Sequence, residues 1–181
     1  MTYYGAKELA AAFRTVRKNT ITVAEDIPED KYGFQAAPET RTVSQTLVHI
    51  ALTTRMALEI HGVRKLTNFE GFDYMSVYAP IMADEQKPRN KAEILDLLRD
   101  EGEKYAALLD GLSDEFLGHT ISFPPHMHPP TKSRFEMLMG AKEHEMHHRG
   151  QLMLIERMLG ITPHLTRQMQ ARMAAQQAGK Q

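Results

Sequence analysis

Three of the nine histidines in this 181-residue chain, His49, His144 and His148, fall on the inward stripes of segments with helical periodicity. Imidazole fills an apolar core poorly, because both ring nitrogens need partners. Burying three rings without them would cost on the order of 1–3 kcal/mol each. One divalent cation shared between two helices answers all three at once. His144 and His148 stand at i, i+4, the spacing that lets two imidazoles on one helix face meet a single ion. Alone, that pair reads better as two neutral, hydrogen-bonded histidines at a core edge. With His49 added from another helix, metal ligation stands level with that reading. Three neutral imidazoles would leave an ion its full charge and an open position, able to activate a water or to accept a substrate thiolate. Nitrogen ligation of this kind suits zinc, nickel or ferrous iron, and spacing does not choose among them.

The neighbours follow from helix geometry. With His144 as zero and about 100° per residue, the residues Met137, Gly140, Ala141, His148, Gln151, Leu152, Ile155, Met158 and Leu159 form the expected core face, the two histidines at its centre. Thr42, Gln45, Thr46, Leu52, Thr53, Met56 and Ile60 share the face of His49, and Arg55 and Leu58 point away. Gln45, Thr53, His147 and Gln151 are therefore the candidates to orient the imidazoles or to hold a metal's water. His126 and His128 lie on a loop that could line the mouth of the site, while His61, His119 and His164 read as structural or solvated. Glu143 and Glu145 aim away from the histidine stripe, so no general base is identified. A ferritin-like two-metal site is excluded: it needs Glu-x-x-His on two helices plus two further glutamates, and only Glu145 to His148 matches.

Four long helices must position these residues. The first is expected from about Ala6 to Glu25, with Leu9, Phe13, Val16, Thr20 and Val23 inward, stopping before Pro28. The second opens with a capping box at Thr42 to Gln45 and ends at Gly62. The third opens at Asn90 to Glu93, buries Ile94, Leu98, Tyr105 and Leu109, and ends at Gly111; the fourth opens at Ser133 to Glu136 and closes at Gly160. The expected fold is all-α, a four-helix bundle. Its Val63 to Arg89 connection is long enough to cross the bundle and let the second and third helices run the same way, an up-down-down-up course. The loop from Leu112 to Lys132 is expected to be ordered over one end. Residues 1–165 form the expected bundle, and residues 166–181 a tail with a possible short helix.

Composition narrows the function. Twenty-two basic against 23 acidic residues argues against a dedicated nucleic-acid binder. No apolar run suits a membrane span and the N-terminus does not read as a secretion signal, so a cytoplasmic protein is expected. The chain has no cysteine. Any metal must be held by nitrogen and oxygen, and any sulfur chemistry must come from a substrate.

Two segments resemble a known family. Lys142-Glu-His144-Glu-Met-His-His148-Arg-Gly-Gln151-Leu, followed by Leu159-Gly160-Ile-Thr-Pro163, resembles the fourth-helix signature of DinB-like proteins, and Thr42-Val-Ser-Gln-Thr-Leu-Val-His49-Ile-Ala their second-helix signature. The resemblance implies the four-helix bundle with its up-down-down-up course and a divalent-metal site at His49, His144 and His148. It also implies two catalytic directions: an S-transferase type that uses a low-molecular-weight thiol, or a metal-dependent hydrolase acting on a small molecule. Many family members have no established activity, so a non-catalytic metal-binding or stress-response role, with the ion structural or sensed, stands as the alternative.

A second apolar stripe on the fourth helix, Phe135, Met139, Met146 and Met153, lies opposite the histidines. It would be covered either by the tail, through Met169 and Met173, or by a homodimer packed through fourth helices, which is the reading favoured.

Overall fold

The computed structural model describes residues 4–179. Its long helices are α1 (Ala6–Asp26), α2 (Val43–Ala57), α4 (Lys91–Asp110) and α6 (Arg134–Met158), with shorter helices α3 (Tyr74–Glu85), α5 (Asp114–Gly118) and α7 (His164–Ala178) between and after them. Helix starts sit where sequence chemistry puts them: Thr42, Asn90 and Ser133 each accept from the backbone N–H three residues on, and Gln45, Glu93 and Glu136 return the bond.

α1 and α2 each pack against both α4 and α6. The core divides into two clusters. One gathers Val23 and Ala24 from the end of α1, Leu47 and Ile50 from α2, Ile94 and Leu98 from the start of α4, and Leu152 and Ile155 from late α6. The other gathers Leu9 and Phe13 from early α1, Tyr105 and Leu109 from late α4, and Leu138 from early α6. Every inward position expected on the first and third long helices is buried.

The connection between α2 and α4 differs from the expected loop. α2 continues as a wider π-helical stretch, Leu58–Val63, and the chain then forms α3 with Pro80 inside it. Asp73 caps α3 by accepting from Ser76 N–H at 3.2 Å, and Val77 and Ile81, one turn apart, anchor it to the core. The loop before α6 carries a two-stranded antiparallel sheet, β1 (Thr120–Ser122) and β2 (Thr131–Ser133). Ser122 exchanges backbone bonds with Thr67 and Phe69 at 2.9 Å, which ties this loop to the segment after α2.

The buried face of α6 is also not where the histidine stripe placed it. Its buried residues are Arg134, Leu138, Glu145, His148, Arg149, Leu152, Ile155 and Glu156, so its centre lies about 90° round the helix from His144, although the expected Leu152 and Ile155 are among them. Gln151 and Met158, expected in the core, are exposed. The cause is α1, whose Arg17 draws Glu145 inward as a buried ion pair at 3.0 Å. The same rotation absorbs most of the second stripe: Phe135 and Met139 pack on one core cluster and Met153 on the other, leaving Met146 exposed. Met169 and Met173 do not cover it; both are more than half exposed, and α7 is exposed on every side from Arg167 onward. No helix among the described residues is long and apolar enough to cross a membrane.

Candidate metal centre

His49 comes from the middle of α2 and the pair His144 and His148 from the middle of α6. Their ligand nitrogens all lie within 4.8 Å of one another, and among the described residues no other His, Asp or Glu joins the group. Nε2 of His144 is 3.1 Å from Nε2 of His49 and 3.2 Å from Nε2 of His148. Metal–nitrogen bonds of about 2.0–2.1 Å at the tetrahedral angle would separate two nitrogens by about 3.3 Å, so the spacing fits.

Proton positions make the same point. The carboxylate of Glu85, from α3, lies 2.7 Å from His49 Nδ1 and can only accept, so Nδ1 carries the proton and Nε2 a lone pair. Gln151 bridges two rings: its Oε1 accepts from His148 Nδ1 at 2.8 Å, and its amide nitrogen donates to His147 Nε2 at 3.2 Å. His148 Nε2 is then a lone pair as well. Even a protonated His144 Nε2 can donate to only one of these neighbours, which leaves the other lone pair without a donor. A shared cation resolves that conflict, and the donor set fits a divalent ion.

Electrostatics favour the neutral form of the two α6 rings. Burial, reinforced by the positive charge that His148 and His49 would carry, pushes His144 down to about 4. His148 is lowered by burial, against the hydrogen bond to Gln151.

The other candidates separate. The Gln45 side chain is exposed and spent on the helix cap, its Oε1 accepting from Thr42 N–H at 2.9 Å. Thr53 Oγ1 donates to the His49 carbonyl at 2.7 Å and not to the ring. His147 is exposed, meets the His148 ring edge-on at 5.0 Å and is linked to its Nδ1 through Gln151. His126 lines the cavity beside His144, whereas His119 is exposed. His164 is buried and pairs with Asn19 at 3.2 Å. Glu143 is exposed; Glu145 faces away from the rings but is buried, not solvated. Sequence reasoning missed Glu85. Its signal was present: Val77, Ile81 and Glu85 follow at four-residue steps after the Asp73 cap, but Pro80 and the reading of a long loop hid the helix.

A cavity of about 410 Å³ reaches His49 and His144, and two larger ones also meet the cluster. One, about 780 Å³, reaches His144 and is walled by aromatic and methionine side chains from α2, α3, α6 and the two loops. The other, about 590 Å³, reaches His148 and Gln151 and carries the polar residues Arg41, Glu39 and Thr40.

The profile of the DinB superfamily matches residues 12–152. Among solved structures, a DinB-like protein from Bacillus subtilis superposes with a TM-score of 0.62 at 22% identity, covering 86% of this chain and 94% of that one. A DinB-like protein from Bacillus cereus superposes with a TM-score of 0.66 at 20% identity, covering 90% and 97%. At these identities the likeness is one of fold. A search of curated proteins finds no match.

Proposed function

The chain belongs to the DinB superfamily, and from that premise we propose that it is a metal-dependent enzyme that joins an external low-molecular-weight thiol to a small molecule, or hydrolyses one with an activated water. The observation that carries this is the convergence of three Nε2 atoms with no fourth protein ligand among the described residues. A structural ion is usually closed by four protein ligands, whereas a reactive one keeps a position open. A divalent ion held by His49, His144 and His148, whether zinc, nickel or iron, would supply the positive charge that favours a thiolate over a thiol, or a hydroxide over water. The chain itself supplies the rest. Glu85 and Gln151 hold two rings in the tautomer that points Nε2 inward. The apolar walls beside His144 would shield the reacting groups from water once a substrate fills the cavity. Because the chain has no cysteine, the thiol must arrive as a substrate. Balanced charge supports work on small molecules in the cytoplasm, with no role for nucleic acid.

Elemental analysis of the purified protein beside a His148→Ala variant tests the site: one bound ion in the first and a marked loss in the second is expected. Metal-loaded protein is then incubated with a panel of cellular thiols and electrophiles. A metal-dependent product supports the enzyme; a bound ion with no product across the panel, and no hydrolysis, supports the binding or sensing role instead.

We also propose a homodimer, through apolar surface that the fold leaves open. Leu154 and Met158 lie one turn apart on α6, Met169 and Met173 one turn apart on α7, and all four are more than half exposed. Leu154→Glu with Met158→Glu should yield a monomer on sizing; an unchanged dimer points back to Met146.

A further inference from the structure

The cavity beside His144 has a chemistry of its own. Its volume of about 780 Å³ is in the range that buries a small organic molecule. Phe69, Phe72, Phe123, Tyr74, Met56 and Met137 form its walls, and among the described residues no Asp, Glu, Lys or Arg lines it. Phe69 stacks on Phe123 at 5.4 Å and meets Phe72 edge-on at 5.3 Å, a wall of ring faces and edges that suits another ring. A charged group seated against these walls, away from His144, would give up hydration with no charged side chain lining the cavity to replace it.

One polar contact is prepared. His61, from the π-helical end of α2, is 2% exposed and lines this cavity. Its Nδ1 accepts from Arg134 Nη1 at 3.0 Å, and a guanidinium only donates. Burial, with the charge of Arg134 beside it, pushes His61 down to about 4, so the ring is neutral and its one proton is on Nε2. No acceptor for that Nε2–H is present among the described residues. Arg134 is itself held by the Leu66 carbonyl at 2.9 Å and by the face of Phe116, 4.1 Å from its centroid. The donor is therefore rigidly placed.

We propose that this cavity receives the second substrate of the three-histidine site: an uncharged molecule with an aromatic ring system and a hydrogen-bond acceptor for His61. The assignment rests on the reading of the histidines as a reactive metal centre. Tyr74, Phe69 and Phe123 would sandwich the ring, and the reacting atom would lie towards His144.

The test uses the full chain and the fluorescent, uncharged naphthyl ketone prodan. Prodan should bind with a blue-shifted emission, be displaced by acetylnaphthalene, and be displaced about a hundredfold less well by naphthoate, which carries the same rings and a charge. A Cβ on Gly140 meets nothing within 4 Å and Gly140 lines the cavity, so Gly140→Phe should weaken prodan about tenfold or more, with helicity and metal content measured alongside to show that the fold and the histidine site are kept. His61→Phe should weaken the ketone while leaving ethylnaphthalene, which has no acceptor, unaffected. No prodan binding, equal displacement by naphthoate, or full binding to Gly140→Phe would overturn the assignment. Metal content is read separately by elemental analysis: prodan binding in a chain that holds no metal would overturn the metal reading and leave an apolar ligand pocket, whereas bound metal without prodan binding would overturn the pocket alone.

Discussion

Glu85 Oε1 stands 2.7 Å from Nδ1 of His49, both side chains largely buried and 36 positions apart in the chain. This contact gives α3 its part in the site. The helix that crosses between α2 and α4 delivers one carboxylate to the back of the α2 imidazole, and nearby Asp84 ties the same helix end to Arg55 and Arg89 at 2.7 Å each. Those cations, with Lys87, hold Asp84 down at about 2 in spite of burial that would raise it. The carboxylate pair thus divides its work: Asp84 anchors, Glu85 orients.

Glu85→Ala should lower metal affinity about 10–100-fold, as removal of a carboxylate behind a ligating histidine commonly does. Glu85→Gln keeps an acceptor for Nδ1–H without the charge and should recover part of the loss. Competition against a chelator of known affinity measures both. Equal affinity in the alanine variant would show that His49 is oriented by packing alone.

Gln151 and Gln45 should behave oppositely. Gln151→Ala should weaken metal binding about tenfold, because His148 loses its Nδ1 acceptor. Gln45→Ala should leave metal binding intact and cost about 0.5–1 kcal/mol of stability, because Gln45 closes the cap of α2. Chelator competition and urea unfolding on both variants separate the roles.

Much of the architecture was legible because its signals are local. Thr42, Asn90 and Ser133 each announce a helix start with a partner three residues on, and Gly111 and Gly160 close two of the four long helices. The convergence of His49 with His144 and His148 also came from local periodicity. What escaped was tertiary. The sense of α6's buried face is set by Arg17 reaching across to Glu145, a pair 128 residues apart that no wheel drawn on one helix contains. The same holds for Gln45: periodicity puts it on the face of His49, but the Thr42 N–H claims its side chain first. Glu85 needed α3 to be recognised, and Pro80 reads as a breaker unless Asp73, Val77 and Ile81 are weighed together.

Gly102 faces the buried guanidinium of Arg17. A Cβ added there would sit 2.8 Å from Arg17 Cγ and 2.9 Å from Nη1. Arg17 cannot yield, because Nε bonds both oxygens of Glu145 at 3.0 and 3.1 Å and Nη1 bonds the Leu98 carbonyl at 2.6 Å. Helix propensity favours alanine over glycine by about 1 kcal/mol, but overpacking costs about 1–3 kcal/mol and a disrupted buried ion pair about 3–5 kcal/mol. Gly102→Ala should therefore be less stable by about 1–3 kcal/mol in urea unfolding. A neutral or stabilising result would mean that the pair can shift as a unit.

Glu156 is fully buried at the end of α6, and neither carboxyl oxygen has a partner among the described residues. Burial first, then the negative charge of Asp26, pushes it up to about 7 against the pull of Arg167 and Arg157. In the unfolded chain the group titrates near about 4.3. Below that pH both states hold the proton and stability is full. Between there and about pH 7 the unfolded chain has released its proton while the folded chain keeps it, so stability falls as pH rises, and it levels off above the folded value. The glutamine variant cannot ionise and escapes this loss. The advantage of Glu156→Gln over the wild type should thus grow by on the order of 2–3 kcal/mol between about pH 5 and about pH 8. Urea unfolding at the two pH values reads the difference directly; a gap that is constant with pH would place the proton elsewhere.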